Sequence, residues 1–173
     1  MTDLVTPQTY NLIFLDLDGV VFIGGQAAPN PDCVARLNAI TAAVQARIVL
    51  TSNRRYGRSQ ATLKRQLVGW GILAHLHDSL PEIGSGDPEA LAQAPARSVE
   101  IKQWLQQHAL EVRRFVVIDD DQETTWSLSR NSIRTDPHQG LQPSQVKQAI
   151  QLFVKPLDQD YLDYWRELLR FGR

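Results

Sequence analysis

Cysteine is almost missing from this chain: Cys33 is the only one in 173 residues. No intramolecular disulfide can form, so a reducing compartment is expected. Long apolar runs are missing too, and none approaches the roughly 20 residues of a membrane-spanning helix. The first stretch, MTDLVTPQTY, carries an acid and no basic region ahead of an apolar segment, so it does not read as a signal peptide. The expectation is a soluble, cytoplasmic protein with no membrane partner. Excess charge of either sign is absent as well: the formal net charge is −1. That excludes a surface that holds nucleic acid by bulk charge, while leaving room for a local basic patch. There is no internal repeat and no low-complexity tract.

What remains is a globular balance of 43% apolar and 21% charged residues, enough for one domain with a full core. Three apolar runs stand out: LIFL (12–15), ARIVL (46–50) and RFVVI (114–118). Each is continuous rather than alternating, as strands buried on both faces of a parallel sheet are. Amphipathic stretches lie between them. Residues 31–44 place Val34, Leu37, Ile40 and Val44 on one face. Residues 58–70 hold Leu63, Leu67 and Trp70, and residues 97–108 hold Ile101, Trp104 and Leu105. Strands alternating with helices predict an α/β fold: a doubly wound, mostly parallel, Rossmann-like sheet with helices on both faces.

Weaker strands are expected at 72–76 and 133–134. A helix follows Pro143 to about Phe153. A last helix, about 157–171, carries Leu157, Tyr161, Leu162, Trp165, Leu168 and Leu169 at helical spacing, a stripe expected to pack on the core. One domain over 1–173 is expected, with its core at about 11–155. The turn-rich segment 78–96 is long for a connection, which makes it a candidate binding loop or lid.

Ligands of open α/β sheets bind beyond the carboxyl ends of the strands. The three apolar runs end in Asp16-Leu17-Asp18-Gly19, in Thr51-Ser52-Asn53-Arg54-Arg55 and in Asp119-Asp120-Asp121. Asp18-Gly19 between apolar segments is a hairpin-turn signal, but a turn gives no reason for a charge at Asp16. Asp16 and Asp18 are two apart, so on extended backbone they face one way. Two carboxylates 4 Å apart repel by about 4 kcal/mol at an effective dielectric of about 20. Such an all-oxygen cluster suits Mg²⁺. Asp is also a covalent nucleophile towards phosphate, and a second carboxylate can serve as acid and base.

The strings IFLDLDGVV, IVLTSN and VVIDDD, in that order, resemble three motifs of the haloacid dehalogenase-like (HAD) superfamily, dominated by Mg²⁺-dependent phosphatases. The resemblance implies that Asp16 is the nucleophile and Asp18 the general acid/base. It implies that Asp16, the Asp18 carbonyl and Asp120 or Asp119 hold the metal. Thr51 or Ser52 would bind the phosphoryl oxygen, with Thr51 preferred. The remaining motif is a lone cation, for which Arg97 is preferred, then Lys102, then Lys64. Ser52, Asn53, Arg54, Arg55 and Lys102 are the expected substrate-binding residues. Only Val20–Ala46 separates the first two motifs, so no full cap domain is expected, and capless members tend to take large substrates.

TSNRR, ARSVEIKQWL, FVVIDDD and Gly140-Leu141 are similar to the HAD domains of bacterial RNA-repair proteins and to polynucleotide 3′-phosphatases. A nucleic-acid end is therefore one expected substrate. A nucleotide or sugar phosphate is another, and a non-catalytic HAD-like binding module is the alternative outside the enzyme class. Arg54, Arg55, Arg58, Lys64 and Arg65 form either a phosphate-backbone contact or a solvated helix face, and no base-stacking residue is assigned among them. His75 and His77 lack further partners at metal-ligand spacing, and His108 and His138 are expected to be surface or helix-end residues. Cys33 is expected to be a small buried residue. The oligomeric state is left open.

Overall fold

A computed structural model describes residues 8–82 and 95–170. Its first strand, β1 (Tyr10–Leu15), is the apolar run that precedes Asp16. After it come α1 (Pro31–Val44), β2 (Ala46–Leu50), a 3-10 turn (Asn53–Arg55), α2 (Gln60–Gly69) and β3 (Leu76–Ser79). The second half holds α3 (Arg97–Gln107), β4 (Val112–Asp119), α4 (Gln122–Ser127), β5 (Ser132–Arg134), α5 (Pro143–Val154) and α6 (Gln159–Arg170). The five strands form one sheet in the order β3-β2-β1-β4-β5. Every pairing is parallel.

Side chains alternate across a strand, and both faces here are covered. On one face Ile13, Leu15, Ile48, Leu50, Val116 and Ile118 meet α1, α2 and α5 through Leu37, Ile40, Leu67 and Phe153. On the other, Leu12, Phe14, Val49, Phe115 and Val117 meet α3 and α6 through Ile101, Trp104, Leu105 and Leu168. Burying a side chain of this size contributes roughly 1.5–3 kcal/mol, which is why the strands read as continuous apolar runs. Trp104 anchors α3 twice over. Its ring meets Phe14 edge-on at 5.4 Å, and its indole N–H donates to Asp78 at 2.7 Å.

Two boundaries and one packing expectation differ from what the sequence predicts. β3 lies at 76–79, not 72–76, because Gly71 (φ +79°) is still turning the chain after α2. Helix α2 starts at Gln60, since Ser59 caps it by accepting from the Thr62 N–H at 3.2 Å. The C-terminal stripe divides: Trp165 packs edge-on to Phe115 at 5.3 Å and Leu168 is buried, whereas Leu157, Leu162 and Leu169 are exposed. Most of the segment 78–96 expected to be a loop or lid lies outside the described residues.

The chain steps outward from β1 to β2 and β3, then returns to the other side of β1 for β4 and β5. The connections leaving β1 and β4 consequently go to opposite faces, which opens a crevice at their carboxyl ends. The segment after β1 folds tightly into it. The Leu17 carbonyl accepts from the N–H groups of Val21 (3.0 Å) and Phe22 (2.9 Å), and Gly19 N–H donates to the Phe22 carbonyl at 2.7 Å. This is a closed turn rather than a paired hairpin. Gly140 and Leu141 hold it from below. Leu141 N–H donates to the Val20 carbonyl at 2.9 Å. Gly140 has φ +65°, and a Cβ there would sit 2.6 Å from that same carbonyl. Between β1 and β2 there is only this turn and α1, and no cap domain is present among the described residues.

Candidate active site and metal centre

Register and alternation together bring the strand ends to one place. Leu15 pairs with Leu50 on one side and Ile118 on the other. The pairing continues one step further: Thr51 N–H donates to the Leu15 carbonyl at 2.9 Å, and Asp16 N–H to the Ile118 carbonyl at 3.0 Å. Asp16, Thr51 and Asp119 therefore stand side by side. By alternation from Phe14, Val49 and Val117 they belong to the face covered by α3. A helix that precedes a parallel strand begins at the carboxyl edge of the sheet. The first residue of α3 is Arg97.

Arg97 reaches across both carboxylates. Its Nη1 lies 3.1 Å from Asp16 Oδ2 and 2.9 Å from Asp119 Oδ2. Burial would lower the Arg97 pKa, but Asp16 and Asp119 outweigh it and raise it. Asp119 has no exposed surface and also accepts from the Asp121 N–H at 2.9 Å. Burial pushes the Asp119 carboxyl up to about 6, with Asp16 adding to the rise and Arg97 opposing it. Burial and then Asp16 raise Asp120 as well.

One carboxylate oxygen from each of Asp16, Asp119 and Asp120 lies within 4.8 Å of the other two. Three acids beside one guanidinium leave excess negative charge in a low-dielectric site. The donor set is all oxygen, which fits a hard divalent cation. Asp121 is used differently: its carboxylate caps α4 by accepting from the Thr124 N–H at 2.7 Å.

The hydroxyl expectations separate. Thr51 is fully buried and its Oγ1 has no hydrogen-bond partner in the protein, so a donor-acceptor group stands free beside Asp16. Leaving a buried hydroxyl unpaired costs about 1–3 kcal/mol, and a bound oxyanion would remove that cost. The Ser52 hydroxyl is turned to its own turn, where it accepts from the Arg54 N–H at 3.4 Å.

The cations separate too. Arg54 forks onto Asp18: Nη2 is 2.7 Å from Oδ1, and Nε is 3.0 Å from each oxygen. Arg55 does not reach the cleft, although the sequence reading assigns it to substrate. It is 1% exposed, and its guanidinium donates to the carbonyls of Leu80 (2.9 Å), Ser52 (3.2 Å), Pro81 (3.2 Å) and Thr51. It also pairs with Glu100 at 3.0 Å. Burial, opposed first by Arg55, raises the Glu100 carboxyl.

An open cleft of about 570 Å³ lies over the site, lined by Asp16, Asn53, Tyr56, Arg97, Asp120 and Glu123 among others. Lys102 does not line it. Lys64 is exposed on α2, the helix packed on the opposite face of the sheet.

Tyr56 and Gly19 are among the residues of the site that the sequence does not single out. Tyr56 interrupts the basic run and lines the cleft. In sequence Gly19 marks only a turn, but its φ is +73° and a Cβ on it would stand 2.3 Å from Asp120 Oδ2. The Asp-x-Asp-Gly string was itself the signal for it, since a glycine can make room for a neighbour as well as turn the chain. His77 and His108 share Glu111, each at 3.1 Å. Cys33 is buried.

An all-parallel sheet whose central strand ends in Asp16, flanked by Thr51 and by Asp119-Asp120, defines the HAD-like class of hydrolase. The family model described as "HAD domain in Swiss Army Knife RNA repair proteins" matches residues 12–146. That is most of the chain, and the chain belongs to this family. No curated protein and no solved structure matches it. Among the described residues no helix is long and apolar enough to cross a membrane.

Proposed function

We propose that this chain is a Mg²⁺-dependent phosphatase that removes a phosphomonoester from a nucleic-acid end through an aspartyl-phosphate intermediate. The observation that carries the reading is the trio Asp16, Asp119 and Asp120, with ligand oxygens within 4.8 Å, beside a cation that already bridges two of them. The family's link to RNA repair and a cleft without a cap domain among the described residues favour a large phosphorylated substrate.

Asp16, the Asp18 carbonyl, and Asp120 or Asp119 would hold the ion; a cluster of few carboxylates with room for water suits Mg²⁺ better than a full cage. When bound, the ion screens the nucleophile from the phosphoryl charge and polarises a phosphoryl oxygen. Asp16 attacks phosphorus, forming the new O–P bond as the bond to the leaving oxygen breaks. Asp18 gives its proton to that oxygen. Water then attacks the aspartyl phosphate, Asp18 takes the water's proton, and Asp16 leaves as a carboxylate. Thr51 Oγ1 and Arg97 hold the equatorial oxygens, where charge accumulates.

The protein should hydrolyse an aryl phosphate with Mg²⁺, and Asp16→Asn should cut turnover by about 10³-fold or more. Undiminished turnover in Asp16→Asn removes the nucleophile assignment. The substrate assignment is checked by comparing 3′-phosphorylated oligonucleotides with mononucleotides. Equal or faster turnover of the small phosphates counts against the nucleic-acid end.

A further inference from the structure

Asp18, which the proposed mechanism uses to move a proton, is not free: Arg54 binds both of its carboxylate oxygens, at 2.7–3.0 Å. The guanidinium also lies over the Phe22 ring, 4.0 Å from its centroid, so an apolar shelf holds its plane. Yet the pair is reachable, with 32% of the Arg54 side chain and 53% of the Asp18 side chain exposed. An exposed ion pair contributes little to stability, so a second anion can compete for the guanidinium. A fork of this geometry takes a phosphate as readily as a carboxylate.

The charge around the cleft says from which side that anion comes. Asp120, Asp121 and Glu123 line the wall between the start of α3 and the start of α4, where among the described residues Arg97 is the cation that lines the cleft, while Glu100 there is paired with the buried Arg55. That wall repels a polyanion. The turn at 53–58, which lines the cleft through Asn53 and Tyr56, carries Arg54 and the exposed Arg58. Arg58 is tied into the same turn, donating to the Arg54 carbonyl.

We propose that Arg54 is a substrate-operated latch: the phosphodiester next to the scissile phosphate takes Arg54 away from Asp18, and the freed carboxylate can then take a proton from water and pass it to the leaving oxygen. The latch rests on the phosphatase reading for its purpose, but its binding half does not need turnover. Arg54 is a positioning residue here, acting through Asp18. A substrate with no second phosphate leaves the latch closed, which gives selectivity for a strand end over a mononucleotide.

The test uses a fluorescently labelled single-stranded hexanucleotide with a 3′-hydroxyl, titrated with the full chain in EDTA and read by anisotropy. This probe offers phosphodiesters and no scissile group. Asp18→Asn should tighten binding at least threefold, because the competitor for Arg54 is gone. Arg54→Ala should weaken it at least threefold, and in the Arg54→Ala background Asp18→Asn should bring no gain. Unaltered binding in Asp18→Asn overturns the latch. So does a gain that persists without Arg54, since that is general relief of negative charge. In turnover, the wild type should favour a 3′-phosphorylated dinucleotide over a nucleoside 3′-monophosphate by at least tenfold in kcat. Arg54→Ala should bring the ratio to within about twofold. A ratio near one in the wild type, or a persisting ratio in Arg54→Ala, also overturns it. Absence of any phosphomonoester turnover alongside the expected binding pattern would sink the phosphatase reading and leave the latch standing.

Discussion

At the scale of single residues the site is built by exclusion of volume as much as by charge. Asp120 occupies the space in which any residue but glycine at position 19 would put its Cβ, 2.3 Å from Oδ2. Real Cβ contacts are never that short, so Asp120 would have to leave. Gly19→Ala also forces an L side chain to φ +73°, at roughly 1–2 kcal/mol. The expected result is a folded protein, less stable by about that amount in urea denaturation, whose Mg²⁺ affinity by calorimetry falls at least tenfold. Retained affinity would mean that Asp120 is not a ligand. Asp16 and Asp119 were legible in the sequence because a charge closing a continuous apolar run has no packing reason to be there. Gly19 had an ordinary explanation as a turn residue. Its second role depends on Asp120, about a hundred positions away in the chain.

At the scale of elements the same contrast separates Arg54 from Arg55. In sequence they are two neighbours in one basic run. In the fold, the 3-10 turn Asn53–Arg55 sends one side chain to Asp18 and the next inward. Nothing local distinguishes them, because the partner that buries Arg55 is Glu100, contributed by α3. Arg55 ties the end of β2, the chain leaving β3 and the helix that carries Arg97 into one body. Removing one member of a buried pair leaves the other charge uncompensated, which costs about 3–5 kcal/mol, whereas replacing both by apolar residues is often neutral or stabilising. Arg55→Met should therefore lose about 3–5 kcal/mol in urea denaturation. Arg55→Met with Glu100→Leu should recover a kilocalorie or more of that loss. The recovery is limited, because four backbone carbonyls also lose their donor. No recovery in the double variant would show that Arg55 works through the carbonyls and not through Glu100. β3 illustrates the complementary failure at this scale. Its sequence, LHDS, has one apolar residue, and it is a strand because β2 offers it an edge, with Leu76 opposite Ile48 and Asp78 opposite Val49.

At the scale of the whole molecule the sheet gathers acids where folding gains nothing from them. The apolar faces that stabilise the fold end at Leu15, Leu50 and Ile118, and the next residue of β1's chain and the last residue of β4 are Asp16 and Asp119. Burial and mutual repulsion raise Asp119 to about 6 even with Arg97 in place, so the ion-free protein carries an electrostatic strain. A ligand that binds only the folded state stabilises it by RT ln(1 + [L]/Kd), about 2.7 kcal/mol at a hundredfold excess over Kd. For a chain of this size that corresponds to a Tm rise of about 5–10 °C. Mg²⁺ should produce the rise, and NaCl at matched ionic strength should not, because general screening reaches buried pairs poorly. Asp120→Asn separates the two contributions. It removes one repelling charge, so the ion-free variant should melt at or above the ion-free wild type, while the response to Mg²⁺ should shrink to a small fraction. A lower ion-free Tm would mean that the Asp120 carboxylate supports the fold, and a full Mg²⁺ response would move the metal centre away from Asp120. The expected pattern, a gain without metal and a loss of the response to it, is that of a residue whose charge serves the ion rather than the fold.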